Sequence, residues 1–237
     1  MRWHETGPRL SAPRIGRRYH SRNQKMTTRT TIGILGHGYV GEAMERYFKD
    51  HYPVAIYDPK YTDAQDAPEE IALTKKRAVN TDLVVLCVPT PMRADGTADL
   101  TAVNAAIQDI TRYRSDDRGT ALVLLKSTVP PGTTRQIIKD NPLIDIAFSP
   151  EYIGEGKYEI QWWKDRGYPH PTDMRKHDFF IFGGERNVTN RIIQFFQKVT
   201  GPDPRYIQTD PTTAEIVKYM ENAWGATKVI FSNTFTT

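Results

Sequence analysis

Thr31-Ile32-Gly33-Ile34-Leu35-Gly36-His37-Gly38-Tyr39-Val40-Gly41 decides the fold. The aliphatic run Thr31–Leu35 reads as a buried strand, and it breaks at once into glycines spaced G-x-G-x-x-G. Each glycine has its own mechanical task. Gly36 permits the tight turn, Gly38 lets the backbone approach a pyrophosphate, and Gly41 lets the next helix pack close to the strand. That helix then offers free N–H groups and a positive dipole end to phosphate oxygens. A second run, Val54–Tyr57, ends in Asp58, 17 residues past Gly41. This is near the spacing of a carboxylate that takes the hydroxyls of an adenosine ribose. Asp58 favours NAD over NADP, because a 2′-phosphate beside it is repelled; Lys60, two residues on, weakens that preference. The competing reading is a glycine-rich turn with no ligand. The strand before it, the helix after it and the acid beyond all argue against that.

Outward from this loop, short apolar runs continue to alternate with amphipathic stretches. Leu83–Val88, Ala121–Leu125 and Ile144–Phe148 read as further buried strands, followed by Phe179–Phe182 and the shorter Arg205–Gln208. Helices are expected near 39–50, 99–112, 132–139 and 185–198, with Asp99 placed to cap the second. Alternation of this kind predicts an α/β, Rossmann-type, doubly wound and mainly parallel sheet. The stretch 157–178, with Trp162 and Trp163, reads as a long ordered loop. From Pro211, suited to a first helical turn, the chain reads as one helix to about 235. The expected organisation is a basic tail over 1–27, a Rossmann-type domain over 28–209 and a truncated interdomain helix over 210–237.

Composition narrows the function. The 237 residues, 38% of them hydrophobic, suffice for one large domain or one domain and part of a second. The formal charge is +4, yet the first 25 residues hold seven Arg or Lys against the single acid Glu5, so the rest is slightly acidic. The basic balance is therefore no sign of a nucleic-acid surface. The tail has three readings: a transit peptide, a flexible basic arm, or residues upstream of a true start at Met26. We favour the last, and expect disorder in every case. No apolar stretch is long enough to cross a bilayer. The single cysteine, Cys87, excludes an internal disulfide and a cysteine-rich zinc site, and fits a reducing cytoplasm. The six histidines show no metal-ligand spacing, so no metal site is expected.

Three more segments follow buried strands: Val88-Pro89-Thr90-Pro91, Lys126-Ser127-Thr128-Val129-Pro130-Pro131-Gly132-Thr133-Thr134 and Ser149-Pro150-Glu151-Tyr152-Ile153-Gly154-Glu155-Gly156. Each admits a bland reading as a turn rich in Pro, Gly and small hydroxyls. Three of them on one edge of one sheet, where open α/β sheets bind ligands, are harder to dismiss. On the final helix Glu215, Lys218 and Asn222 are spaced by three and four and share a face. A lysine and an amide so placed can donate to a developing alkoxide; solvated surface residues are the alternative.

With these segments the sequence resembles the UDP-glucose/GDP-mannose dehydrogenase family, the nucleotide-sugar 6-dehydrogenases. The likeness rests on Gly38–Gly41, the VPTP strand end with Asp95-Gly96 and Ala98-Asp99-Leu100, the KSTVPPGTT and SPEYIGEG segments, and Ala214, Glu215, Lys218, Asn222, Ala223 and Lys228. It implies oxidation of a sugar C6 alcohol to a carboxylate with two NAD, through an enzyme-bound thiohemiacetal. By position, the resemblance implies that Gly36, Gly38, Tyr39, Val40, Gly41, Asp58 and Lys60 hold the cofactor and that Val88, Pro89 and Thr90 line its path. Thr128, Glu151 and Glu155 then lie near nicotinamide and sugar, and Thr128, Glu151, Lys218 and Asn222 carry the catalytic roles. A nucleotide sugar is the implied substrate, and a homodimer through the terminal helix the implied assembly.

The sequence departs from the pattern in four places. The family's nucleophilic cysteine loop and its second, sugar-nucleotide-binding domain have no counterpart in these residues. Gly154 stands where the family usually has Arg, and the 157–178 loop is longer than usual. Cys87, inside an apolar strand with no expected cation beside it, reads as protonated and inert. A non-catalytic NAD-binding module that partners a full-length dehydrogenase is thus the competing reading. A hydroxy-acid dehydrogenase of similar fold is disfavoured by the KSTVPPGTT and VPTP segments.

Overall fold

The structure is a computed structural model that describes residues 30–62, 66–153 and 173–235. The basic tail, Glu155, Trp162 and Trp163 lie outside the described residues. Seven strands form one sheet: β1 (Ile32–Leu35), β2 (Val54–Tyr57), β3 (Leu83–Leu86), β4 (Ala121–Leu125), β5 (Ile144–Phe148), β6 (Phe179–Gly183) and β7 (Arg205–Thr209). Their spatial order is β2-β1-β3-β4-β5-β6-β7. Neighbours are parallel except β5 and β6, which run antiparallel through Phe148 and Gly183. Ile32 registers against Val54 on one side and Leu83 on the other, so β1 is central to the first half of the sheet. β1, β3 and β4 are buried along their whole length, which is why each is a continuous aliphatic run and not an alternating one.

Among the described residues six helices cover the two faces: α1 (Tyr39–Phe48), α2 (Pro68–Val79), α3 (Thr101–Tyr113), α4 (Thr133–Asp140), α5 (Arg186–Thr200) and α6 (Pro211–Thr234). Tyr47 and Phe48 of α1 meet Phe180 and Phe182 of β6 and Phe196 of α5 in one core. Val103, Ile107 and Ile110 of α3 and Ile137 of α4 pack with Ala78 and Val79 of α2 in the other. This is the doubly wound arrangement that the alternation predicts.

Several local expectations need correction. α2 has no counterpart in the sequence reading, because only Ala78 and Val79 of its 12 residues are buried and no apolar stripe marks it. β3 stops at Leu86, so Cys87 lies just past the strand end. Leu100, not Asp99, occupies the N-cap of α3. Asp99 still accepts the Thr101 N–H at 2.9 Å, one residue further out than expected. The part of 157–178 that is described holds a 3₁₀ turn, Met174–Lys176, with Met174 buried.

α6 begins inside the body and then leaves it. Asp210 caps it by accepting the Thr213 N–H at 3.2 Å. Pro211, Ala214, Glu215 and Lys218 are buried, whereas Met220, Trp224, Val229, Ile230, Phe231 and Phe235 are each more than half exposed. Among the described residues no helix is long and apolar enough to cross a membrane.

Candidate functional site

Because β1 to β5 are parallel, the loops that follow them gather on one edge of the sheet. The strand order reverses between β1 and β3, and a ligand crevice opens at such a switch point. A cleft of about 700 Å³ lies there.

Its first wall is the glycine loop. Gly36 has φ +88°, and a Cβ there would stand 2.5 Å from the Cys87 carbonyl oxygen. Only glycine combines that backbone with that approach. Gly41 is buried beneath it: a Cβ would come within 2.2 Å of the Gly36 carbonyl oxygen. Gly41 therefore sets the packing of α1 and does not itself face the cleft. Gly38 is different, since a Cβ there meets nothing within 4 Å and projects into the open crevice. Among the described residues no side chain caps α1, so its first-turn N–H groups face the cleft as donors for an anion.

Asp58 closes this end. Its Oδ2 accepts the His37 N–H at 2.5 Å and its Oδ1 the Lys60 N–H at 2.9 Å. Each oxygen keeps a further acceptor site. The Lys60 ammonium donates to the His37 carbonyl and stands 3.6 Å from Glu42. The His37 ring is held between Tyr61 Oη at 2.6 Å and Glu45 at 2.9 Å. A lysine occupied in this way is a poor receptor for a 2′-phosphate, which removes much of the ambiguity that its position creates.

The opposite wall comes from the loops after β3, β4 and β5. Ser127 Oγ donates to the Val88 carbonyl at 2.7 Å, and Thr90 Oγ1 to the Thr128 carbonyl at 2.7 Å, so the VPTP and KST segments are laced together. Lys126 is 2% exposed and donates to the Pro150 carbonyl at 3.0 Å and to Ser149 Oγ at 3.3 Å. Burial pulls its ammonium down to about 8, against the opposing pull of Glu151. Cys87 sits half-buried on the same wall, and burial pushes its thiol up to about 12 even though Lys126 acts to lower it. The thiol is protonated as expected, but it does have a cation nearby.

Glu151 is where α6 meets the site. Its Oε1 pairs with Lys218 at 2.8 Å, its Oε2 accepts the Ile153 N–H at 2.8 Å, and its carbonyl accepts Lys218 at 2.7 Å. One helical turn earlier, fully buried Glu215 accepts the Gly132 N–H at 2.6 Å, the Thr134 N–H at 2.8 Å and the Thr134 hydroxyl at 2.6 Å. It thereby caps α4, where a helix dipole favours a carboxylate.

The structure thus brings Gly36, Gly38, Tyr39, Val40, Asp58, Lys60, Val88, Pro89, Thr90, Thr128 and Glu151 onto one cleft. Neither Lys218 nor Asn222 lines it: Lys218 is buried against Glu151, and Asn222 is exposed on the next turn. The shared-face reading held both at the reacting atoms, but the helix is leaving the body at that point. The cleft also takes in Tyr57, Lys75, Asp109, Lys126 and Ser127, which the sequence reading did not single out as site residues. Lys126 and Ser127 stand inside a motif it did single out; Lys75 and Asp109 come from two helices whose meeting no local pattern records.

This geometry accords with comparison to known proteins. Residues 55–165 match the NAD-binding domain of the UDP-glucose/GDP-mannose dehydrogenase family. The similarity to that domain covers just under half of the chain. It is 32% identical over 159 residues to the UDP-glucose 6-dehydrogenase of Rickettsia bellii, covering 65% of this chain and 33% of the relative. It is 30% identical over 161 residues to the UDP-N-acetyl-D-mannosamine dehydrogenase of Methanocaldococcus jannaschii, covering 65% and 34%. The solved UDP-glucose dehydrogenase of Pyrobaculum islandicum superposes with a TM-score of 0.67 at 25% identity, over 89% of this chain and 53% of that one. The match thus spans about a third of the length of these curated relatives. The cleft fits NAD on its own geometry as well: the start of α1, an open space at Gly38 and an acid just past β2 line one continuous crevice.

Proposed function

We propose that the chain is the cofactor-binding part of an NAD-dependent nucleotide-sugar 6-dehydrogenase acting in the cytoplasm. The observation that carries this reading is the single cleft that joins the glycine loop and Asp58 to Thr128, Lys126 and Glu151. Gly36, Gly38, Tyr39 and Val40 cradle the pyrophosphate, and Asp58 takes the adenosine ribose. Val88, Pro89 and Thr90 line the way to the nicotinamide end. Bound NAD would supply the hydride acceptor there. Thr128 and Glu151 stand at that end to orient a sugar alcohol, and Lys218 positions Glu151 through the 2.8 Å pair. Glu155 belongs to the same loop by sequence. Asn222 reaches reacting atoms only when a substrate-bearing domain closes over the exposed part of α6.

Calorimetric titration with NAD tests the cofactor half of this reading. Asp58→Ala should weaken binding by about 1.5–3 kcal/mol through loss of a charge-assisted hydrogen bond. Gly38→Val should keep the fold, since a Cβ there meets nothing within 4 Å, at the cost of the few degrees of melting temperature that a poor N-cap residue removes, yet abolish measurable binding by filling the pyrophosphate approach. Native affinity in both variants rejects the assignment.

The exposed end of α6 supports a homodimer through this helix. Met220, Trp224, Ile230 and Phe231 are each more than 60% exposed, and contiguous apolar surface of this kind drives association. Light scattering should show a dimer at micromolar concentration that Trp224→Glu with Phe231→Glu reduces to a monomer. A monomeric native chain at high concentration overturns the assembly.

A further inference from the structure

The adenosine end of the cleft holds a charged pair that the cofactor reading leaves unused. Lys75 of α2 and Asp109 of α3 meet at 2.7 Å, and each side chain is 21% exposed. Both face the cleft, and the Lys75 ammonium lies 5.1 Å from the centre of the Tyr57 ring. Tyr57 ends the edge strand β2 and immediately precedes Asp58, so the pair stands at the β2 side of the cleft, next to the residue before the ribose acid. Ala102, Ala105 and Ala106 of α3 line the same cleft with small side chains.

We infer that the Lys75–Asp109 pair reads the edge of the adenine base and makes the cleft selective for a 6-amino purine. This rests on the cleft taking NAD, but it adds a specificity that a pyrophosphate loop and a ribose acid do not provide. Adenine shows an amino donor at C6 flanked by acceptor nitrogens. Asp109 spends one acceptor site on Lys75 and retains others for the 6-amino group. Lys75 has three donors and can serve a neighbouring ring nitrogen. A hypoxanthine base inverts this pattern, with a carbonyl at C6 and a proton on N1. It would set the carbonyl against the carboxylate and the N1 proton against the ammonium. Asp58 anchors the ribose, so the base cannot slide to exchange partners. The two charged groups hold each other, and the ammonium also lies over the Tyr57 ring.

The test compares NAD with nicotinamide hypoxanthine dinucleotide in titrations of the 237-residue chain. A matched donor–acceptor edge predicts about tenfold tighter binding of NAD. In Lys75→Met with Asp109→Leu, which removes both charges and leaves neither unpaired, the preference should fall to about twofold or less. Asp109→Asn keeps the shape of the site and offers an amide donor to the hypoxanthine carbonyl while Lys75 still opposes the N1 proton, so the preference for NAD should shrink below the native one without vanishing. It also serves should the double variant fail to fold. Equal binding of the two dinucleotides by the native chain, or a preference that survives undiminished in the variants, overturns the inference. Failure to bind either dinucleotide overturns the cofactor reading as well, and is distinguishable because equal binding leaves that reading intact.

Discussion

In the folded chain at pH 8, Cys87 should react with thiol reagents more than about a thousandfold slower than the same chain unfolded. The thiolate is the reacting species, and a thiol held near 12 is ionised only to about one part in ten thousand at that pH. An ordinary thiol near 8.5 is ionised to roughly a quarter. Burial is the cause, and Lys126 offsets it only in part because burial brings that ammonium down to about 8 as well. The rate should climb about tenfold per pH unit until the fold itself gives way. The fold resists ionising this thiol, so Cys87 removes stability progressively as the pH rises from about 9 towards 12. Lys126 acts oppositely: its buried ammonium costs most below about 8, and that cost is relieved as the pH rises from there to 10.5. A chromogenic disulfide reagent with and without denaturant measures the contrast. Native reaction within tenfold of the unfolded rate overturns the assignment.

From this follows the expectation that the purified chain binds NAD but makes no sugar acid. The two-step oxidation that the family resemblance implies needs a thiolate to hold the aldehyde as a tetrahedral adduct, from which hydride leaves readily. Cys87 is the only cysteine among the 237 residues, and it is held protonated. Nor is Lys218 free to serve an alkoxide, since Glu151 holds it in a buried pair. Absorbance at the reduced-cofactor band should stay flat with UDP-glucose, UDP-N-acetylmannosamine and GDP-mannose. A sustained signal that survives Cys87→Ser and disappears in Lys218→Ala shows that the first half-reaction proceeds with these residues alone. Continued turnover to the acid refutes the prediction.

The strands and the glycine loop were legible because their physics is local. A strand buried on both faces must be apolar throughout, and a turn that admits no Cβ must be glycine. α2 was not legible: it lies with most of its surface in water, and the sequence Pro68-Glu69-Glu70-Ile71-Ala72-Leu73-Thr74-Lys75-Lys76-Arg77 gives no stripe. The missed helix carries Lys75, so one corner of the cleft was lost with it. Glu151 and Lys218 were each found as candidates, but not their pairing, which spans 67 residues and forms only where α6 crosses the loop after β5. The burial of Lys126 was hidden for the same reason, since the strand that precedes it and the loop that covers it lie far apart in sequence.

Glu215 and Lys218 give α6 a mechanical property as well as an electrostatic one. The helix is 24 residues long, roughly 36 Å from end to end, and its buried residues and its polar contacts to other described elements all lie near its start. Glu215 grips the beginning of α4 and Lys218 grips Glu151. α6 is therefore a lever with a short anchored arm and a long free one. A small tilt imposed at Trp224 or Phe231 is transmitted as torque to two fulcrum contacts, both on loops that border the cleft. Whatever grips the free arm thereby gains mechanical access to the geometry of Thr128 and Glu151 without touching either.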